Sequence, residues 1–317
     1  MRSALFSVHA GVESMKSPFP AKAVLHEVVL RDGIQNEKTI VSTDEKLRLI
    51  EQLANSGVRR IEVSSFVNPK LVPQMADAEE LWKRIDRKKG VLYSALILSE
   101  RGLERAMACE VPHVGIFVSA SETHSRKNSN KSIPEALKEA LTLIRRAHSS
   151  GIKVRAGVMN TFGCAYEGKV STSGVLKLVG QFLEEDPEEI CLADTSGMGN
   201  PRQMKEMVRT VRKLSVNKAI SLHLHNTRGQ GMANLWAALE EGVAIFDTSL
   251  GGLGGCPFIA GARGNIATED TVSMLHDAGV RTGIDLSKLI DVSRSFEKHM
   301  GLIFPAAVSH LTGAYCR

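Results

Sequence analysis

From about residue 23 the chain alternates short β-branched runs with longer stretches whose apolar residues recur every three or four positions. The short runs predict strands at Val24–Leu30, Arg60–Ser65, Val91–Leu98, His113–Ser119, Lys153–Asn160, Glu189–Thr195, Ala219–His225 and Val243–Leu250, each followed by a helical pattern. Several helices carry their own punctuation. Ser42 and Glu45 have capping-box spacing ahead of Leu47, Ile50, Leu53 and Ala54, and Gly57 ends that face. Ser132 precedes Pro134, after which Leu137, Leu141, Ile144 and Ala147 share one stripe up to Gly151. Asn200-Pro201 places a proline in the first turn behind an N-cap, and the last helix of the series starts near Thr268 and ends at Gly279.

Eight strand–helix units in about 260 residues predict a (β/α)8 TIM barrel, with additional C-terminal helices. Residues 1–22 read as a poorly ordered N-terminal extension, 23–283 as the barrel and 284–317 as a helical cap. A doubly wound open sheet is the alternative fold. It lacks its dinucleotide fingerprint, because Gly252-Leu253-Gly254-Gly255-Cys256-Pro257 misses the third glycine and ends in a proline.

Composition narrows the function classes without choosing one. The 317 residues carry 40 Lys+Arg against 35 Asp+Glu, a net charge of +5, with the positives scattered among acids. Only 5% of residues are aromatic, so a base-stacking nucleic-acid platform is not expected, and an anionic small molecule fits better. No apolar run reaches the roughly 20 residues of a membrane span. Five cysteines without CxxC spacing (Cys109, Cys164, Cys191, Cys256, Cys316) imply neither a disulfide scaffold nor a structural zinc site. A reducing, cytoplasmic location follows, with an organelle leader in residues 1–20 as the alternative.

In a barrel of this type, chemistry is expected where strands end and βα loops begin. Arg31 and Asp32 follow the first strand, Glu62 lies in the second, Asn160 follows the fifth, and Asp194 and Thr195 close the sixth. Asp247 lies in the eighth, and His223 and His225 end the seventh. Two residues apart on a strand, they point to one face and can reach one ion; the bland alternative is a hydrogen-bonded pair in a polar barrel mouth. One aspartate and two histidines with open positions suit Mg²⁺ or Mn²⁺ better than Zn²⁺. Four glycines in five residues, Gly251 to Gly255, free the loop that carries Cys256, and a cysteine near a dication and Arg31 can act as an acid or base. Arg126, Lys127 and Lys131, in the loop after the fourth strand, are candidates to meet substrate phosphates.

Taken in order, these residues are similar to the 3-hydroxy-3-methylglutaryl-CoA lyase family, metal-dependent barrels with an Arg-Asp-Gly signature. The matching segments are Arg31 to Lys38 with Val41-Ser42-Thr43, then Glu62, Ser65-Phe66-Val67, Pro69-Lys70 and Val72 to Met75. Ser121-Glu122, Lys127-Asn128, Gly163-Cys164 and Tyr166 to Lys169 follow, then His223-x-His225, Gly229-Gln230, Gly252 to Pro257 and Gly264 to Asp270. The chain departs from the family at Leu30, at Asn226-Thr227-Arg228, at Gly157 where a tyrosine is expected, at Phe258 and at Arg263. Loss of a ring at Gly157 is expected to enlarge or reshape an acyl pocket.

The resemblance implies a divalent-metal-dependent carbon–carbon lyase. It would cleave a 3-hydroxy-3-methylglutaryl-CoA-like substrate to acetyl-CoA and a keto acid, acetoacetate for the default substrate. Asp32, His223, His225 and Asn265 would hold Mg²⁺ or Mn²⁺. Arg31 would stabilise the thioester enolate, and Cys256 would move a proton with help from His223. Glu62, Gln35 and Asp194 would orient this machinery, while Gln35, Asn128, Lys127, Asp194 and Thr195 would bind substrate. The expected partners are an acyl-CoA and further copies of the chain (a dimer or tetramer), without nucleic acid or membrane. The rivals are a lyase for citramalyl-CoA or a longer 3-alkyl-3-hydroxyglutaryl-CoA, a condensing synthase, and a non-enzymatic scaffold barrel.

Overall fold

Parallel pairing closes eight strands into one barrel in sequence order: β1 (Val24–Glu27), β2 (Arg60–Ser65), β3 (Leu92–Ile97), β4 (His113–Ser119), β5 (Lys153–Met159), β6 (Glu189–Asp194), β7 (Ala219–Leu224) and β8 (Ile245–Thr248). The computed structural model describes residues 19–255 and 264–311. Expectations for most of the N-terminal extension and for Cys256, Phe258, Arg263 and Cys316 therefore lie outside the described residues. The helices are α1 (Thr43–Asn55), α2 (Ala78–Arg84), α3 (Glu100–Ala108), α4 (Glu122–Ser129), α5 (Ile133–Ser149), α6 (Thr172–Glu184), α7 (Pro201–Leu214), α8 (Gly231–Glu240), α9 (Thr268–Asp277) and α10 (Leu286–Met300).

The sequence explains where they begin. Ser132 and Glu135 form the reciprocal capping box at α5. At α1 only half of it forms: Ser42 Oγ accepts from Glu45 N, and the Glu45 carboxylate pairs with Arg48 instead. Asn200 caps α7, whose Met204, Met207, Val208 and Val211 are buried against the sheet. Burying such side chains stabilises by about 1.5–3 kcal/mol each. The main apolar core thus lies between the outward strand faces, such as Val114, Ile116 and Val118, and the helix ring.

The lumen is different. Small barrels usually fill it with layers of branched aliphatics. Here His26, Arg60, Glu62, Ser94, His113, Arg155, Glu189, Ser221, His223 and Asp247 sit within the strands as buried or half-buried polar groups.

Three departures from the predicted elements matter for function. The first strand stops at Glu27, and Val29–Gly33 forms one π-helical turn. The Glu27 carboxylate accepts the Val29 N–H at 2.9 Å, and Gly33 N and Ile34 N reach back five residues to Val28 O and Val29 O. β8 ends at Thr248 and passes into a 3₁₀ turn, Leu250–Gly252. The loop expected after β4 is a helix, α4, which carries Arg126, Lys127 and Asn128.

At the C-terminal end, α10 packs against both α1 and α9, and the segment after it returns to the loop following β8. There the Ala306 N–H donates to Gly251 O, and the Asp270 carboxylate accepts from the N–H groups of Ala307 and Val308.

Candidate active site at the barrel mouth

The π-helical turn after β1 brings two consecutive charged residues to one rim. π-turns inside regular structure recur at functional sites because they re-aim side chains. Arg31 and Asp32 are both buried, and Arg31 NH1 donates to Asp32 Oδ1 at 2.5 Å. Across the barrel, β7 points His223 inward, and the chain beyond it pairs antiparallel with residues after the Gly-rich loop. Asn226 N donates to Gly264 O and Ile266 N to Leu224 O, which sets His225 opposite Asn265. Asn265 then reaches over to Asp32, its Nδ2 donating to Oδ2 at 2.7 Å.

Asp32, His223 and His225 form the one cluster among the described residues whose donor atoms could share a metal ion. His223 Nε2 and His225 Nε2 are 2.9 Å apart, and Asp32 Oδ2 lies 4.0 Å and 3.5 Å from them. Ligands of a small octahedral cation at about 2.1 Å stand about 3 Å apart when adjacent and about 4 Å when opposite, so these spacings fit. The buried Asn265 Oδ1 has no hydrogen-bond partner, and it is an oxygen donor beside the cluster. Two imidazoles, a carboxylate and an orphaned amide oxygen suit a hard or borderline divalent ion.

Electrostatics keeps the Arg31–Asp32 pair ionised. Burial acts to raise the Asp32 pKa, but Arg31 with His225 and His223 outweighs it and holds the carboxyl well below the usual carboxylate range. For Arg31, burial is outweighed by Glu62 and Asp32, and the guanidinium stays charged. Its Nε donates to Glu62 Oε2 at 2.5 Å. The Gly-rich loop passes directly over the cluster. At Gly254 (φ +107°) a Cβ would stand 2.5 Å from Asn265 Nδ2 and 3.2 Å from Asp32 Oδ2, so only glycine fits there. One residue on, Gly255 O accepts from Asn36 Nδ2 at 3.1 Å, which fastens the loop to the first βα connection just before Cys256.

Other expected site residues are placed less directly. The Asp194 carboxylate accepts from Met198 N (2.9 Å) and Gly199 N (3.0 Å), closing its own turn. Thr195 Oγ1 accepts from Asn160 N. Gln35 sits half-buried just past the π-turn, with its N–H on Arg31 O. Lys127 and Asn128 lie exposed on α4; the Lys127 ammonium stands 4.5 Å over the Tyr166 ring, while Arg126 and Lys131 pair with Glu122 and Glu139.

Gly157 does not open a pocket. A Cβ there would lie 2.1 Å from the Phe117 ring, which fills the space left by the missing side chain. Arg228 braces the neighbouring loop through Gly197 O (3.1 Å) and Met198 O (2.5 Å).

A polar network lies beneath this rim. Asn160, buried at φ +56°, joins three loops: it takes Ser196 Oγ–H on Oδ1 and donates Nδ2 to Ser119 Oγ. Below it, Arg155, Glu189, Arg60, His26 and Asp247 form a buried ionic network ending on His223. Polar residues inside the strands, Arg155 in β5, Glu189 in β6 and Asp247 in β8, are the sequence signal for this network.

The comparisons with known proteins agree with this geometry. Residues 22–295 match the HMGL-like family. The hydroxymethylglutaryl-CoA lyase of Bacillus subtilis is 40% identical over 289 residues, covering 91% of this chain and 97% of that protein. The human mitochondrial hydroxymethylglutaryl-CoA lyase is 42% identical over 287 residues, covering 90% and 88%. Among solved structures, the Bacillus subtilis HMG-CoA lyase superposes with a TM-score of 0.88 at 41% identity over 92% of this chain and 97% of that one. An Acinetobacter baumannii HMG-CoA lyase, solved in complex with coenzyme A and 3-methylmalate, gives 0.89 at 39% identity over 95% and 97%. With a match running through the barrel from end to end, the chain belongs to the HMG-CoA lyase family.

Proposed function

We propose that this protein cleaves 3-hydroxy-3-methylglutaryl-CoA to acetyl-CoA and acetoacetate, using a divalent cation. The observation that carries this reading is the adjacency of Arg31 to Asp32. One side chain of the pair offers an oxyanion partner, and the other belongs to the cluster with His223 and His225. Asp32, His223, His225 and, through its free Oδ1, Asn265 would hold Mg²⁺ or Mn²⁺. When bound, such an ion supplies Lewis-acid polarisation of the substrate's hydroxyl and carboxylate oxygens.

The protein's own groups do the rest. The tertiary hydroxyl gives up its proton to the Cys256 thiolate, the C–C bond electrons pass to the thioester as an enolate, and the remaining carbon becomes a ketone. Arg31, fixed at Nε by Glu62, offers its guanidinium to the enolate oxygen. Cys256, as the Gly-rich loop closes, returns that proton to the enolate carbon, which becomes the acetyl methyl group. Glycine at 254 lets this loop lie against the cluster and exclude water. Lys127 on α4 faces the CoA phosphates.

Phe117 fills the space at Gly157, and Arg228 is occupied with loop carbonyls. Neither supports a pocket for a longer acyl chain. Product analysis on a panel of hydroxyacyl-CoA thioesters, with Mg²⁺ and with EDTA, tests the reading. Acetoacetate from 3-hydroxy-3-methylglutaryl-CoA, abolished by EDTA, is expected. Preferential cleavage of citramalyl-CoA would overturn the substrate, and metal-independent turnover would overturn the mechanism.

A further inference from the structure

Asp247, in β8, lies beneath the metal-site cluster and makes three contacts. Its Oδ2 is 3.1 Å from His223 Nδ1, and its Oδ1 is 2.8 Å from Arg155 NH2 and 3.2 Å from His26 Nδ1. Asp247 and Arg155 are each 1% exposed, so neither charge is shared with water. An arginine only donates, so its NH1, 3.1 Å from His26 Nδ1, makes that nitrogen an acceptor. His26 therefore carries its hydrogen on Nε2, which lies 2.9 Å from Ser94 Oγ. Burial and the charges of Arg155 and Arg60 outweigh Asp247 and keep the His26 pKa below its ordinary value. Arg155 Nε donates to Ser221 Oγ (3.2 Å) and is ion-paired with Glu189 Oε1 (2.9 Å), while Glu189 Oε2 takes the Arg60 guanidinium (2.8 Å).

With His26 accepting rather than donating at Nδ1, the imidazole N–H that Asp247 receives comes from His223. A carboxylate facing His223 Nδ1 requires the hydrogen on that nitrogen, and this leaves the lone pair on Nε2. Nε2 is the atom that faces His225 and Asp32. A ligating histidine is commonly fixed by a carboxylate on its other nitrogen, and loss of such a partner typically costs 10–100-fold in metal affinity.

We propose that Asp247 is a positioning residue for the cation site: it holds His223 in the Nδ1–H form with Nε2 free to ligate, and Arg155 fixes the orientation of Asp247 from below. This rests on the reading of Asp32, His223 and His225 as metal ligands. It extends the site inward by a residue that touches neither substrate nor ion.

Asp247→Asn tests it because Arg155 decides which way the amide turns. The positive guanidinium, ion-paired at 2.8 Å, favours the amide oxygen on its own side, so the amide NH₂ faces His223 Nδ1. That nitrogen must then accept, and the hydrogen moves to Nε2, where it blocks ligation. Long-range ¹H–¹⁵N NMR of histidine-labelled, metal-free protein at pH 8.5 reads the form directly. Mn²⁺ titration followed by EPR reads affinity without any substrate.

The wild type is expected to show His223 as Nδ1–H. Asp247→Asn is expected to show Nε2–H, with Mn²⁺ affinity about 10–100-fold weaker. An Nε2–H form in the wild type overturns the proposal, and this reading needs no variant to fold. So does a folded Asp247→Asn protein that melts lower but keeps the Nδ1–H form and wild-type Mn²⁺ affinity, because the residue would then serve only to hold the barrel together. The thioester panel is scored separately on the wild type. Tight Mn²⁺ binding with the Nδ1–H form but no cleavage overturns the reaction and leaves Asp247 in its role. Absence of Mn²⁺ binding by the wild type overturns the metal reading and this proposal with it.

Discussion

Arg31 donates through Nε to Glu62 at 2.5 Å, so the residue assigned to the enolate is aimed by a carboxylate from the next strand. Both groups are buried. Arg31→Ala should lower kcat by two to three orders of magnitude, equivalent to about 3–4 kcal/mol, with Mn²⁺ affinity changed modestly. Glu62→Ala should reproduce part of that loss, because it frees the guanidinium to swing. Steady-state kinetics beside Mn²⁺ titration decides, and a rise confined to KM would contradict the enolate role.

His225→Ala should reduce bound divalent ion from stoichiometric to trace when purified protein is measured by elemental analysis. Asn265→Ala removes an amide oxygen and its Asp32 hydrogen bond. A smaller loss of affinity, about tenfold, is expected there. Retained stoichiometric metal in the His225 variant would remove that residue from the ligand set.

Cys256→Ser should bind Mn²⁺ as the wild type does and lose most turnover, about 100-fold or more, since a hydroxyl is a poor acid and base at neutral pH. The check is single-turnover product formation with metal content measured in parallel. Unchanged turnover would take Cys256 out of the chemistry.

Two buried acids make stability depend on pH. Burial pushes Glu27 up to about 8, against opposing hydrogen bonds from Thr268, Leu250 and Val29, and pushes Glu269 up to about 7. A carboxyl whose folded pKa is raised stabilises fully below its unfolded value, and that contribution is lost as pH rises through the folded one. Stability should therefore fall from about pH 4.5 up to about 7 through Glu269 and up to about 8 through Glu27, by up to about 1.4 kcal/mol per pH unit for each group. Glu27→Gln keeps an acceptor for the N–H groups of Val29 and Leu250, and its NH₂ can donate to Thr268 Oγ1. Urea melts across this range should be flatter for Glu27→Gln and should show it more stable than the wild type at pH 8.

Phe117 and Gly157 should behave as a coupled pair. Gly157→Ala presses a methyl into the ring and should cost about 1–3 kcal/mol. Truncating the ring first removes the clash, so the same change on a Phe117→Ala background should cost less by about 1–2 kcal/mol. Additive melts would mean that the ring moves aside freely.

Much of the architecture was legible because it is local. Strand and helix periods, the Ser132–Glu135 box and the Asn200 cap are written in residues a few positions apart, and β2 and β4 fall at their expected limits. Two members of the metal-site cluster were legible for the same reason: His223 and His225 sit two apart at the end of a strand-like run. The turn after β1 was not. Its π geometry depends on Glu27, whose carboxylate also takes the N–H of Leu250 from the far side of the closed barrel.

What the sequence by itself determined was the succession of elements and the kinds of chemical group at their ends. Tertiary structure decided which groups meet. Asn265 reaches Asp32 only because an antiparallel bridge folds residue 265 against 225, and Asp247 reaches His223 only because β7 and β8 pair in register at those positions. The family departure at Gly157 raised the expectation of an enlarged or reshaped pocket; its neighbour across the β4–β5 ladder, Phe117, fills that space. The physical reason is one of range. Backbone preference acts within a few residues, whereas a buried polar group must find its partner wherever closure of the barrel places one.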